Sequence, residues 1–256
     1  MLGQSRHGVK PFYNRACMRT ASRAPALIAW LILVPLVSWL WIAAMARDMY
    51  GPMTGASAWT MTPVWDGPHL LLLWAMWAVM MTGMMLPSAV PLILIARAGS
   101  HPYWLAAGYL AVWALFSAGA TALQWQLGRL GIVDPMMEIS SAKAGAALLL
   151  LAGVYQWTPL KHACLTTCQS PADFLMRRWR RGSAGALRMG VEHGVYCVGC
   201  CWALMLLLFA GGVMNLTVIA ALTIFVAFEK LAPIGPAGAR VSGALLIGAA
   251  IWMYVK

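Results

Sequence analysis

Apolar runs long enough to cross a bilayer recur along the whole chain, and no other feature restricts its fold as much. A helical span needs about 20 apolar residues. Seven candidate runs follow one another, at 26–46, 70–96, 103–127, 142–158, 190–211, 214–230 and 238–255, the fourth and sixth of them short. The longest connections, 47–69 and 159–189, are each too short to build a core of their own. Backbone polar groups in lipid must find partners inside their own element. The runs therefore predict an all-α fold, a polytopic membrane helix bundle of about seven transmembrane helices. Charged residues make up 10% of the 256, against about a quarter in a soluble domain. The expected organisation is a basic tail over 1–25 and one transmembrane domain over 26–256.

Eighteen basic residues stand against seven acidic ones. In a membrane chain the informative question is which side they occupy. With the N-terminus in the cytoplasm, fourteen of the eighteen lie inside. Arg6, Lys10, Arg15, Arg19 and Arg23 precede the first span, and Lys161, Arg177, Arg178, Arg180, Arg181 and Arg188 separate the fourth from the fifth. Arg47, Arg129, Lys143 and Lys256 remain outside. The expected topology is N-terminus in and C-terminus out, in a bacterial inner membrane. The lipid bilayer is the first partner, with anionic lipid head groups against the run Arg177–Arg181; no nucleic acid is expected. The first run imitates a signal peptide down to Ala44-Met45-Ala46. It is longer than an h-region of about 7–15 residues and contains Pro35, so it reads as a retained anchor. Trp59 and Trp65 mark the 47–69 connection as an ordered interfacial loop.

Chemistry concentrates between Tyr155 and Asn215, which hold five of the six cysteines. In HGVYCVGCCWAL a helix places His193, Cys197 and Cys200 on one face, with Cys201 just off it. In the cytoplasmic half of a membrane such thiols stay reduced, which argues against a structural disulfide. The bland alternative is small buried hydrophobes among glycines. In PLKHACLTTCQSP, Pro159 suits a first helical turn and Ser170-Pro171 favours a break. A short helix of about 10 residues follows, on which Cys164 and Cys168 share a face with Lys161 nearby, while His162 points elsewhere. Joined through the cytoplasm, the two cysteine pairs can meet. Three or four thiols, with His193, would satisfy a tetrahedral or lower-coordinate soft ion.

A third group lies in MWAVMMTGMMLPSAVP. Met76, Met80 and Met84 form one i,i+4 stripe, and Met81 and Met85 another. Such stripes either pass Cu(I) between thioethers or simply pack a bundle. Pro87 and Pro91 should kink this helix. Glu192 opens the fifth span, and Glu229-Lys230 closes the sixth. Ionisable groups in spans are functional candidates, so Lys161, Glu192 and Glu229 are expected either to support the ion site or to form helix-end ion pairs.

These three motifs resemble a bacterial domain-of-unknown-function family of predicted metal-binding integral membrane proteins. The similarity runs roughly from the second helix to Glu229-Lys230, and the CVGCCW run is its most specific part. The resemblance implies a multi-pass inner-membrane protein and a bound metal, and it implies no reaction.

The resulting expectation is a protein that binds a soft transition metal, copper(I) ahead of zinc or iron, for transport, delivery or sensing. The expected ligands are Cys164, Cys168, His193, Cys197, Cys200 and Cys201, with Met80, Met81, Met84 and Met85 as a relay. A metallochaperone or a neighbouring membrane protein would be the partner. A different class is a membrane thiol-disulfide oxidoreductase that cycles Cys197/Cys200 with Cys164/Cys168 as the second pair. A third is a structural or assembly subunit held by small-residue packing. No catalytic residue is assigned, and no phosphate-binding or dinucleotide fingerprint is present.

Overall fold

The computed structural model describes residues 10–51, 66–99, 101–134, 137–139, 141–231 and 235–255, leaving out the side chains of 10–24 and 235–237. Arg6, Trp59, Trp65, Lys256 and the basic side chains of the tail lie outside the described residues. The described chain is helical: α1 Lys10–Met49, α2 Gly67–Ala96, α3 Pro102–Arg129, α4 Ala142–Gln156, α5 Pro159–Gln169, α6 Pro171–Arg178, α7 Gly182–Gly211, α8 Leu216–Leu231 and α9 Gly235–Val255. Among the described residues the only β feature is one isolated bridge, Val133 to Ile139.

Five segments are long and apolar enough to cross a membrane: Pro25–Met49, α2, α3, α7 and Gly238–Val255. They correspond to five of the seven expected runs, and the other two form shorter helices. Helix α4 has 15 residues and α8 has 16, so at 1.5 Å per residue each is about 22–24 Å long against a hydrocarbon layer of about 30 Å. Helix α1 starts at Lys10, well before the expected 26, and continues through Pro25 and Pro35.

The reason for the two short helices lies in their relation to α7. Just before α4, the Ile139 amide donates to the Phe209 carbonyl near the end of α7. At the other end of α4, the Tyr155 hydroxyl donates to the Gly199 carbonyl, partway back along α7. Helices α5 and α6 then carry the chain onward. The Phe174 ring meets His193 at 5.2 Å, and past α6 Arg180 reaches Glu192 at 3.1 Å. Together α4, α5 and α6 make one interrupted passage beside α7. Helix α8 starts one turn after α7, with Asn215 accepting from the amides of Thr217 and Val218. It ends with Lys230 at Cys197.

Helix α2 runs through the core, with Leu73, Met76, Trp77, Met80, Met81, Met84 and Met85 all buried. Asp66 caps it by accepting from the His69 amide. The indoles of Trp74 and Trp77 tie it to α3, donating to the Ala114 carbonyl and to Gln124 Oε1 at 2.9 and 2.7 Å. Helix α1 buries Leu27, Leu31, Ser38, Ile42, Met45 and Met49 on one side and exposes Ile32, Leu36, Val37 and Leu40 on the other. An apolar outward face is what a lipid-facing helix presents.

The closest crossing is between α3 and α7. A Cβ on Gly108 would lie 2.1 Å from the Leu187 carbonyl oxygen, and one on Gly190 would lie 2.0 Å from that of Leu105. Gly194, one turn after Gly190, meets Val112 at 2.9 Å. The spacing Gly190-x-x-x-Gly194 puts both gaps on one face, so the backbones approach closely and gain dispersion contacts. This contact fixes α7, and with it the cysteines, against Tyr109 of α3.

Candidate metal centre

His193, Cys197 and Cys200 share one buried face of α7, as their spacing requires. Cys201, expected just off that face, is also fully buried. Cys200 and Cys201 both donate their S–H groups to the Cys197 carbonyl, at 3.1 and 2.9 Å.

The short helix expected between Pro159 and Ser170 is α5. The Thr158 hydroxyl caps it by accepting from the Lys161 amide, and Pro159 stands in its first turn. Its buried face carries Lys161, Cys164, Leu165 and Cys168, while His162 is exposed. Cys164 faces α7 at Gly199, where an added Cβ would lie 2.7 Å from its sulfur. The Cys168 thiol is hydrogen-bonded to Cys197 and Cys200, and Cys200 also lies beside Cys164. The two cysteine pairs thus face each other across the α5–α7 contact, and all five described cysteines are free. Among the described residues no three His, Cys, Asp or Glu side chains are grouped so as to hold a metal ion.

Two groups that sequence spacing did not assign complete the surroundings. The Tyr109 oxygen lies 3.0 Å from Cys197 Sγ, and the hydroxyl also donates to the Met85 carbonyl at 2.9 Å. The Lys230 ammonium lies 2.8 Å from Cys197 Sγ, 3.3 Å from Ser88 Oγ and 3.9 Å from Met85 Sδ. Glu229-Lys230 was legible as a charged pair at a helix end, but nothing in the pattern turns its lysine toward a cysteine. No periodicity distinguishes Tyr109 from other aromatic residues in apolar helices.

The remaining candidates divide. Met85 reaches this cluster, whereas Met80, Met81 and Met84 extend from it as a buried column in the core. His193 is buried, its Nδ1 has no hydrogen-bond partner, and Tyr109 and Phe174 flank its ring. Glu229 is not at a solvated helix end. It accepts from the Lys161 ammonium through both carboxylate oxygens, at 2.8 Å each. Glu192 is taken up by Arg178, Arg180 and Arg188. Two arginines of the basic run are therefore already ion-paired, and a third, Arg177, pairs with Asp173.

A cavity of about 210 Å³ opens beside the cluster, lined by Ser88, Pro91, Leu92, Cys168, Gln169, Pro171, His193, Lys230 and Leu231. Polarizable sulfur is the donor type that soft cations prefer, and the cavity adjoins these sulfurs.

A family model described as PpoB2: Copper chaperone matches residues 74–253. The match begins just before the methionine stripe and takes in every residue of the cluster. Comparison with curated proteins and with solved structures gave no match.

Proposed function

Since the chain belongs to the PpoB2 copper chaperone family, we propose that its cargo is Cu(I), held at the meeting of the two cysteine pairs and handed on. The observation that carries this reading is the facing of Cys164 and Cys168 on α5 toward Cys197 and Cys200 on α7, with Met85 alongside. Thiolate and thioether ligands select Cu(I). Zinc favours four closed ligands at structural sites, and the carboxylate nearest in sequence to Lys230, Glu229, is already bound to Lys161.

Cu(I) reaches the cavity, where Cys168 and the unpartnered His193 Nδ1 are the first soft donors. It passes to Cys197 and Cys200, with Cys164 and Cys201 within the same packed group. Met85, and then Met84, Met81 and Met80, offer neutral thioethers along α2. Exchange between donors of similar softness keeps each step shallow, so the ion moves without being trapped. This suits delivery better than storage.

The chain sits in a bacterial inner membrane with its N-terminus in the cytoplasm. The interrupted α4–α5 passage and α8 supply two further crossings beside the five long helices, which makes seven. Broken helices in a bilayer are tolerated where they surround a site. The basic segment around Arg177–Arg181 lies at the cytoplasmic surface near anionic head groups, and the cavity opens toward that side. A soluble metallochaperone or a neighbouring membrane protein exchanges the ion. The oxidoreductase reading is supported less well, because the matching family model is described as a copper chaperone.

The test is anaerobic Cu(I) loading of the full chain in detergent, comparing wild type with Cys164→Ser, Cys200→Ser and the double variant. Residues that act as one unit are non-additive. Each single variant is expected to lose most bound copper, with the double variant little worse. Independent losses that add would mean two separate sites, and full copper retention by both single variants would sink the reading.

A further inference from the structure

We infer that Lys230 is a built-in placeholder cation: its ammonium occupies the position between Cys197 and Met85 that the incoming ion must take, and it withdraws into the adjoining cavity when the ion arrives. The inference rests on the Cu(I) reading above and adds a residue that regulates loading and release.

Lys230 is buried at the end of α8. Among the described residues no carboxylate forms a salt bridge with it, since Glu229, its neighbour in sequence, is engaged by Lys161. A buried ammonium needs compensation, and Lys230 finds it in Cys197 Sγ at 2.8 Å, Ser88 Oγ at 3.3 Å and Met85 Sδ at 3.9 Å. Two of these three atoms are the soft donors a Cu(I) ion would use. A metal–sulfur bond of about 2.3 Å aimed into the same gap would overlap the ammonium. Two positive charges a few ångströms apart also repel strongly where the dielectric is low.

Occupancy by lysine and by metal therefore exclude each other. The cavity of about 210 Å³ has Lys230 in its lining, and a flexible four-carbon stem can carry the charge into it. At Cys197 one single positive charge takes the place of another, while any further thiol that joins as a ligand must release its proton as the ion binds. When the ion leaves, the ammonium returns and the emptied sulfurs are again covered. A device of this kind weakens binding, and a chaperone must release what it binds.

The experiment uses the full-length chain in detergent, anaerobic, at one fixed pH. Cu(I) affinity is measured by competition with a chromophoric Cu(I) chelator, and release by the rate of transfer to excess chelator. Lys230→Leu removes the charge and adds no metal donor. It is expected to bind Cu(I) about tenfold or more tightly and to release it correspondingly more slowly. Ser88→Ala removes one anchor of the ammonium while leaving every proposed sulfur donor in place, although Ser88 Oγ also donates to the Met85 main-chain carbonyl at 2.8 Å; it is expected to tighten binding about two- to threefold in the same direction. Should Lys230→Leu not yield folded protein, Ser88→Ala decides alone. Unchanged or weaker Cu(I) binding in the folded variants overturns the placeholder role. If wild type takes up no Cu(I), the copper reading fails separately. Lys230→Leu then still decides this inference, a gain of Cu(I) or Ag(I) binding supporting it and no gain overturning it.

Discussion

Lys161 on α5 donates to both carboxylate oxygens of Glu229 on α8 at 2.8 Å, and both side chains are almost fully buried. Gln169, at the far end of α5, donates to the Glu229 main-chain carbonyl at 2.8 Å. The helix that carries Cys164 and Cys168 is therefore held to α8 at two points. Removing one member of a buried ion pair leaves the other charge uncompensated, which costs about 3–5 kcal/mol. Lys161→Met or Glu229→Leu alone should lower the unfolding midpoint of the purified protein sharply, and the double variant should recover most of the loss. A double variant no more stable than either single would show that the pair acts through something other than its charge.

The α3–α7 crossing gives a steric prediction. Gly108→Ala or Gly190→Ala would press a methyl group against a backbone carbonyl at about 2 Å. Backbone cannot swing aside as a flexible side chain can, so destabilisation at or beyond the upper end of ~1–3 kcal/mol is expected. Gly119, on the same α3, has open space at its Cβ position, and Gly119→Ala should be neutral. Fluorescence-detected size-exclusion chromatography of the three variants would separate the outcomes.

Topology can be decided at one position. If α4–α5 and α8 complete crossings beside the five long helices, a reporter fused at Arg180 lies in the cytoplasm and one at the C-terminus lies outside. If only the five long helices cross, both reporters lie outside. Paired activity reporters active on opposite sides of the membrane distinguish the two cases, and same-side readings would remove the seven-crossing arrangement.

Met85 is the one thioether of the α2 stripe within reach of the cluster. Leu nearly conserves volume and apolarity, so each Met→Leu change should cost under about 1.5 kcal/mol. Met85→Leu alone should reduce Cu(I) loading or slow delivery in the purified protein. Replacing Met80, Met81 and Met84 together should slow transfer onward while leaving loading intact. Normal transfer in the triple variant would return those three residues to ordinary packing.

Much of this arrangement could be read from local pattern. Pro159, Ser170 and Pro171 delimit α5 because proline chemistry acts within a residue or two. The His193/Cys197/Cys200 face follows from helical angle alone. Lys230 and Tyr109 could not be found in that way, since they reach Cys197 from α8 and α3 through packing that no periodicity encodes. Glu229 forms the ion pair expected near the end of α8, but pattern could not name its partner, because Lys161 lies 68 positions away. Length alone leaves α4 and α8 undecided as crossings, because each helix stops beside the cysteines of α7, short of a full span.

Those short helices also bear on how the protein is made. A 15-residue α4 followed by the far more polar α5 is a poor candidate to leave the translocation channel for lipid unaided, because neither is a full-length apolar segment. We expect the passage to wait until α7 has been synthesised and to partition with it as a unit, so that the cysteine cluster closes late. A chain truncated after Gln169 should leave Cys164 and Cys168 open to a membrane-impermeant thiol reagent, and the complete chain should protect them. Equal protection in both would mean that α4 and α5 enter the bilayer on their own.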